Sequence, residues 1–391
     1  MVRSFQFARL PLIIFGFGKL SGLPDFVMRY GKRILLVTGQ FSFLTSAPGI
    51  KFAKAAEEKG IKADQLTIPG EPSPGIIDEA SAQYGNAPPD VVVAIGGGSA
   101  IDAGKALSAM IPIRGNIKEY LEGVGFKDHP GTKIPFIAVP TTAGTGSEAT
   151  KNAVISQVGK EGFKRSLRHD NFVPDIAVVD PELTLSCPQD ITSASGMDCF
   201  TQLTEAYLSD RANEYTDALA VEGLKAIKLS LVRSCSDGQD INARTGMSFA
   251  ALTSGICLAN AGLGVVHGFA SSAGGRFDIP HGVVCGTLMA VSNEVTVSRL
   301  REKRSNPSAL NKYASLGKLF LDYSNKSDDY FIDGFIEYLH YLTDELKLPG
   351  LKKWGITEND LKEIALITEC KNNPVKLETE DLIEILLRRT L

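Results

Sequence analysis

Apolar residues in the first half of the chain fall into short continuous runs rather than an alternating pattern. Arg33–Thr38, Asp90–Ile95, Ile134–Val139 and Asp175–Asp180 each read as a strand buried on both faces, as parallel sheets require. Between them, residues 50–60 (stopped by Gly60) and 99–110 carry helical patterning. Strands alternating with helices predict an open, mostly parallel sheet. An earlier apolar run, Leu10–Phe17, contains Pro11 and Gly16 and reads as a first strand and turn. It is too short to span a bilayer, and Gln6 and Arg9 interrupt any signal-peptide core.

The pattern changes after Leu183. Residues 198–208, 215–231, 243–258, 329–345 and 379–389 show helical periodicity, with few strand-like runs among them. The expected organisation is an N-terminal α/β domain over residues 1–185 and an all-α domain over 186–391, with the boundary near Pro181 and Pro188. A chain of 391 residues fits two domains or one large one.

Composition narrows the partners. The formal net charge is −4, and Lys and Arg are scattered, so neither nucleic acid nor an anionic membrane surface is an expected partner. The six cysteines form no Cys-x-x-Cys pair, and free thiols in a reducing, cytoplasmic setting are expected.

Two loops carry candidate chemistry. Gly96-Gly-Gly-Ser99 follows a strand and opens a helix, where glycine allows close backbone approach to a phosphate and the helix start presents free N–H groups. The alternative is a glycine-rich connection and nothing more. Pro140-Thr-Thr-Ala-Gly-Thr-Gly-Ser-Glu148 follows the next strand and is dense in hydroxyls. Two such loops at the carboxyl ends of strands of one sheet favour a nucleotide site, hence a Rossmann-like nucleotide-binding domain.

Among five histidines, His267 and His281 stand out because each precedes glycine in a small-residue segment. They are fourteen positions apart, about 21 Å along one straight helix. Gly274, Gly275 and Pro280 lie between them and are expected to turn the chain back. Asp198 is expected to open a helix and supply an anionic oxygen, with Gln202 on the same face at i+4. Asp, His and His would leave positions for water or substrate, as a catalytic metal site needs.

Gly96–Lys105, Pro140–Glu148, Gly196-Met-Asp198, Asn260–Gly268 and Pro280-His-Gly282 together resemble the motifs of the iron-containing (group III) alcohol dehydrogenases, in the same order. The resemblance runs from Phe15-Gly-Phe-Gly18 to about Glu294, with a weaker echo at Asn373-Pro374 and Thr379-Glu-Asp381. It implies a dehydroquinate-synthase-like fold and hydride transfer between NAD(P)H and an aldehyde or ketone. It also implies a homodimer. By position it assigns Gly97, Gly98, Ser99 and Asp102 to the pyrophosphate, and Thr141, Thr142 and Thr145 to phosphate and ribose. Asn152 and Lys164 become further cofactor contacts, and Leu183 lines the ribose or nicotinamide side. Asp198, His267 and His281 become metal ligands, with Gln202 a doubtful fourth.

The chain departs from the family at three places. Gln202 stands where the family has a histidine four residues after the aspartate, and glycerol dehydrogenases manage with Asp/His/His and zinc. Fe²⁺ and Zn²⁺ therefore both stay open. Ser271 stands where the family has another histidine near substrate and nicotinamide, and becomes a candidate proton relay. NAD-preferring members carry an aspartate after the second strand; Gly39 occupies that place, with Ser42 nearby, which leans toward NADP(H).

The alternatives are a metal-dependent lyase or cyclase of the dehydroquinate-synthase type, a metal-free maleylacetate-type reductase and a non-catalytic nucleotide-binding protein. Few basic residues near the metal motifs argue against a phosphorylated substrate.

Overall fold

The computed structural model describes residues 4–40 and 43–390. Strands β1 (Leu12–Phe15), β2 (Arg33–Gly39), β3 (Lys62–Ile68), β4 (Val91–Gly96), β5 (Phe136–Pro140) and β8 (Ile176–Val179) form one parallel sheet in the order β1-β8-β5-β4-β2-β3. Helices α1 (Leu23–Val27), α2 (Ala47–Glu58), α3 (Pro74–Gly85) and α4 (Gly98–Met110) belong to this half. Strands β6 (Asn152–Gln157) and β7 (Phe163–Arg168) form a separate antiparallel hairpin. The central strands match the apolar runs because both faces are covered: β4 is buried at every position.

Helices follow from residue 189: α5 (Gln189–Leu208), α6 (Glu214–Ser236), α7 (Ile241–Ala261), α8 (Val265–Arg276), α9 (His281–Lys303), α10 (Pro307–Phe320), α11 (Asp328–Glu345), α12 (Glu358–Ile367) and α13 (Thr379–Thr390). Their shared core runs from Met197 through Val284 and Leu288 to Leu386. Among the described residues no single helix is long and apolar enough to cross a membrane.

Several elements go beyond the sequence expectation, each for a visible reason. β3 is an edge strand on which only Ile68 is buried, so it lacks the apolar run of its neighbours. The β6–β7 hairpin lies outside the parallel sheet and interleaves polar residues with Ala153, Ile155 and Leu167, which enter the core. α9 is buried over most of its length and has no polar stripe to announce a helix. α5 begins at Gln189, so Asp198 sits in mid-helix instead of opening one.

α4 is buried from Ala100 to Met110, and two of its buried residues are charged. Lys105 Nζ donates to Ser147 O (2.8 Å), Thr150 Oγ1 (3.1 Å) and Asn152 O (2.6 Å). Asp102 accepts from Ser147 Oγ (2.8 Å) and Val154 N (3.1 Å). One helix thus fastens both the loop after β5 and the start of β6. Removing one partner of such a set leaves a buried charge uncompensated, at a cost of roughly 3–5 kcal/mol. Burial raises Asp102 to about 6 and lowers Lys105 to about 8.

Glu148, at the end of the same loop, is raised by burial from 4.5 to about 7. Between those values the folded chain keeps a proton that the unfolded chain has released, so this group makes stability fall as pH rises and then level off. At about 1.4 kcal/mol per pH unit the loss is on the order of 3 kcal/mol. Glu148→Gln is expected to flatten stability between pH 5 and 8, read as urea midpoints. A slope identical to that of the parent would count against a buried, late-titrating Glu148.

Candidate active site

A cleft of about 2000 Å³ separates the carboxyl ends of β4 and β5 from helices α5, α8 and α9. Its sheet-side wall is built from the two hydroxyl- and glycine-rich loops. Thr141 N donates to Gly96 O at 2.9 Å, tying one loop to the other. A Cβ on Gly98 would lie 2.8 Å from Thr145 Cγ2, and one on Gly97 would lie 3.4 Å from Thr142 Oγ1. At Gly98, glycine is therefore what lets the loops face each other, whereas a Cβ at Gly97 would make only an ordinary contact. Gly97 caps α4 without a side-chain hydrogen bond, so the first N–H groups of the helix remain free for an anion.

Gly39, Gly97, Gly98, Ser99, Thr142 and Thr145 line the cleft, as do Asp102, Asn152 and Lys164. The last three are already engaged. Asp102 holds Ser147 and Val154, Asn152 Oδ1 accepts from Arg168 Nε (3.0 Å), and Lys164 pairs with Glu71 (3.0 Å). Bonded on both oxygens, the Asp102 carboxylate anchors the loop after β5 and the start of β6.

Two expected contacts lie off the wall. Thr141 serves through its backbone, and Leu183 packs with Val139 and Val178 in the core on one face of the sheet. Ser42 lies outside the described residues.

The helical wall brings Asp198, His267 and His281 together. Asp198 comes from α5, His267 from the first turn of α8, and His281 is the first residue of α9. Asp198 Oδ1 lies 3.2 Å from His267 Nε2 and 3.7 Å from His281 Nε2. The imidazole centroids are 5.5 Å apart. The chain reverses over Phe277–Pro280, between the two helices. Gly274 and Gly275 do not make that turn: they lie inside α8, where a Cβ on Gly275 would meet Phe163 Cα of β7 at 2.9 Å. Gly282 does similar work at the start of α9, against Ala194 O of α5.

Burial opposes the charge on Asp198, but the facing imidazoles outweigh it and bring the carboxyl to about 2. Desolvation takes His281 down to about 4 against the pull of Asp198. Asp198 and His281 thus stand in the forms a divalent metal needs, whereas His267 is held well above its ordinary value, against burial, by Cys285, Asp198 and Glu205, so a metal would have to displace its proton. His281 Nδ1 is buried and without a hydrogen-bond partner. The donor atoms of Asp198, His267, His281 and also Cys285 all lie within 4.8 Å of one another, so the residues fit a metal ion.

Gln202 and Ser271 line the cleft with their polar atoms engaged elsewhere. Gln202 Oε1 accepts from Ser254 Oγ at 3.0 Å, and Ser271 Oγ donates to His267 O at 3.0 Å.

Three residues matter here that the sequence reading did not single out. Glu205 Oε2 lies 2.7 Å from His267 Nδ1, and its Oε1 accepts from Val266 N at 2.7 Å. It sits two helical turns after Asp198, a spacing that could have disclosed it. Cys285 follows His281 by one turn, an equally legible spacing. Lys371 Nζ donates to His267 O (3.2 Å) from the segment after α12, and no local pattern announces it. Lys371, Lys164 and Arg165 line the cleft, which overturns the expectation of few basic residues near the metal motifs. They arrive from segments distant in sequence.

Comparison with known proteins follows the same division. A family model described as iron-containing alcohol dehydrogenase matches residues 11–181, and one for the C-terminal part of the Fe-containing alcohol dehydrogenase family matches residues 192–390. Alcohol dehydrogenase 4 of Saccharomyces cerevisiae is 32% identical over 386 residues, covering 96% of each chain. A solved 1,3-propanediol oxidoreductase superposes with a TM-score of 0.88 at 26% identity, covering 99% of this chain and all of that one. The sulfoacetaldehyde reductase of Bifidobacterium kashiwanohense, solved in complex with NAD⁺, gives 0.79 at 26% identity, with 99% of each chain covered.

The bond from Glu205 to His267 fixes which ring nitrogen faces Asp198, and such outer partners typically carry about 10–100-fold in metal affinity. Glu205→Gln is expected to weaken Zn²⁺ binding by that range in a competition titration, with the circular dichroism spectrum unchanged. Parental affinity in a folded variant would deny Glu205 this role.

Proposed function

The chain belongs to the iron-containing alcohol dehydrogenase family and is a metal-dependent oxidoreductase of alcohols; from that premise we propose that Asp198, His267 and His281 hold a divalent metal. The observation that carries this reading is the convergence of an ionised carboxylate and two imidazoles from three helices, facing a glycine cradle across one cleft. Gly97, Gly98 and Ser99 at the start of α4, with Thr142 and Thr145 opposite, would hold the cofactor phosphates.

A bound divalent metal would supply Lewis acidity toward a substrate oxygen, and an NAD(P) cofactor the hydride chemistry. The chain's own residues do the positioning. Glu205 orients His267 and fixes its tautomer. Asp102 and Lys105 keep the second loop in register with the first. Ser271 and Lys371 both donate to the His267 carbonyl and hold the first turn of α8 in place, so Ser271 acts as a positioning residue, with its proton already engaged. The substrates are small alcohols and the corresponding aldehydes or ketones.

NADP(H) is the cofactor we favour. Gly39 ends β2 on the cleft wall and offers no carboxylate to repel a 2′-phosphate. We also propose a cytoplasmic homodimer: the compartment rests on the six free thiols, the dimer on the family resemblance.

Protein purified without chelator should contain a divalent metal by elemental analysis and turn over NADPH or NADH with a panel of short aldehydes. Asp198→Ala should lose both metal and turnover; full activity in that variant would sink the metal site.

A Cβ at Gly39 would have nothing within 4 Å, so an aspartate fits there. Gly39→Asp is expected to lower kcat/KM for NADPH relative to NADH by about tenfold or more, equivalent to ~1.4 kcal/mol. An unchanged ratio would remove Gly39 from cofactor choice.

A further inference from the structure

Cys285 is the one donor in the metal cluster that the family pattern does not assign. It is fully buried, and its Sγ lies 3.7 Å from His267 Nε2 and within 4.8 Å of the donor atoms of Asp198 and His281. It sits at i+4 from His281 on α9, a spacing that puts both side chains on one face of the helix. The residue at the family's histidine position, Gln202, has its amide oxygen bonded to Ser254 Oγ at 3.0 Å, and Ser254 belongs to α7.

We propose that Cys285 binds the metal as a thiolate and takes the coordination place that Gln202 does not fill, giving an Asp198–His267–His281–Cys285 set that selects Zn²⁺ over Fe²⁺. The inference rests on the reading that Asp198, His267 and His281 hold a metal. Two arguments support it. Thiolate is a soft donor that suits zinc, and the general affinity order already places Zn²⁺ above Fe²⁺. A carboxylate and a thiolate together also balance the two positive charges of the ion in a buried site, where an unbalanced charge is costly. The step balances with release of one proton: the thiol S–H bond breaks, the proton passes to solvent, a sulfur–metal bond forms, and no electron is transferred. Zinc can expand its coordination during turnover, so four protein donors are compatible with catalysis.

Cobalt(II) makes the donor visible, because thiolate ligation produces an intense near-ultraviolet charge-transfer band that oxygen and nitrogen donors do not. Chelator-stripped protein should develop this band with one equivalent of Co²⁺. Cys285→Ala should abolish the band, and Cys370→Ala should keep it. In competition titrations Cys285→Ser should bind Zn²⁺ about tenfold or more weakly, and Gln202→Ala within about threefold of the parent. Cobalt binding without the band in the parent protein overturns the cysteine assignment while leaving the three-residue metal site intact. Failure of the parent to bind cobalt at all overturns both. The parent spectrum alone decides, so a poorly folding Cys285 variant does not weaken the test.

Discussion

A carboxylate in the middle of a buried helix governs the helical half of this molecule. Asp198 is 1% exposed, and isolation there would leave its charge without compensation. Two imidazoles meet it, each at the first turn of a different helix, and His267, held protonated between Asp198 and Glu205, supplies the compensating charge. α8 and α9 must therefore begin at the same place, opposite the middle of α5. The reversal between Arg276 and His281 and the entry into α8 after Gly264 follow from that requirement. Glu205 extends the constraint by one more link. Its two oxygens hold the His267 ring and the Val266 amide, so a single side chain of α5 fixes both the ring and the backbone that carries it.

The other half meets the opposite need, room for charge brought in from outside. Its devices are absences of side chain. Gly98 admits the facing loop, and Gly144 lets that loop rest on Ser195 of α5. Gly146, with φ of +62°, and Gly255 bring the same loop onto α7 so closely that a Cβ on Gly255 would lie 2.2 Å from Gly146 O. The nucleotide-side loop is thereby packed on two helices, one of which carries Asp198. That contact sets the depth of the cleft, and with it the distance between the start of α4 and Asp198 on α5. Positive φ matters only at Gly146 in this contact; elsewhere the requirement is space.

How much of this is written in the sequence depends on whether the determinant is local. Parallel strands buried on both faces announce themselves, as β4 does through Val91–Ile95. β3 and the β6–β7 hairpin do not, because β3 buries only Ile68 and the hairpin interleaves its core residues, Ala153, Ile155 and Leu167, with polar ones. α10 carries an ordinary start signal, Asn306 capping ahead of Pro307, that periodicity passes over. At the site, Asp198, His267 and His281 are weak as spacings and strong only as ordered motifs. Glu205 and Cys285 stand at regular helical offsets from those residues and are legible once the ligands are known. Lys371 is not: it reaches the cleft from a C-terminal segment, through a tertiary contact that leaves no local trace, and Lys164, on a hairpin, is legible only through the family resemblance.

Those two lysines also complete the electrostatic argument. Near the helical wall, the carboxylates of Asp198, Glu205 and Glu71 face the cations of Lys164 and Lys371. Carboxylates and cations thus interleave on this wall, while the opposite wall offers free helix N–H groups and glycine backbone, which suit an anionic phosphate. The two walls therefore differ in kind: one carries carboxylates, imidazoles and lysines in mutual contact, the other bare backbone N–H groups at a helix start. Fold topology supplies both walls, but their different chemistry comes from the side chains on one and from the glycines on the other.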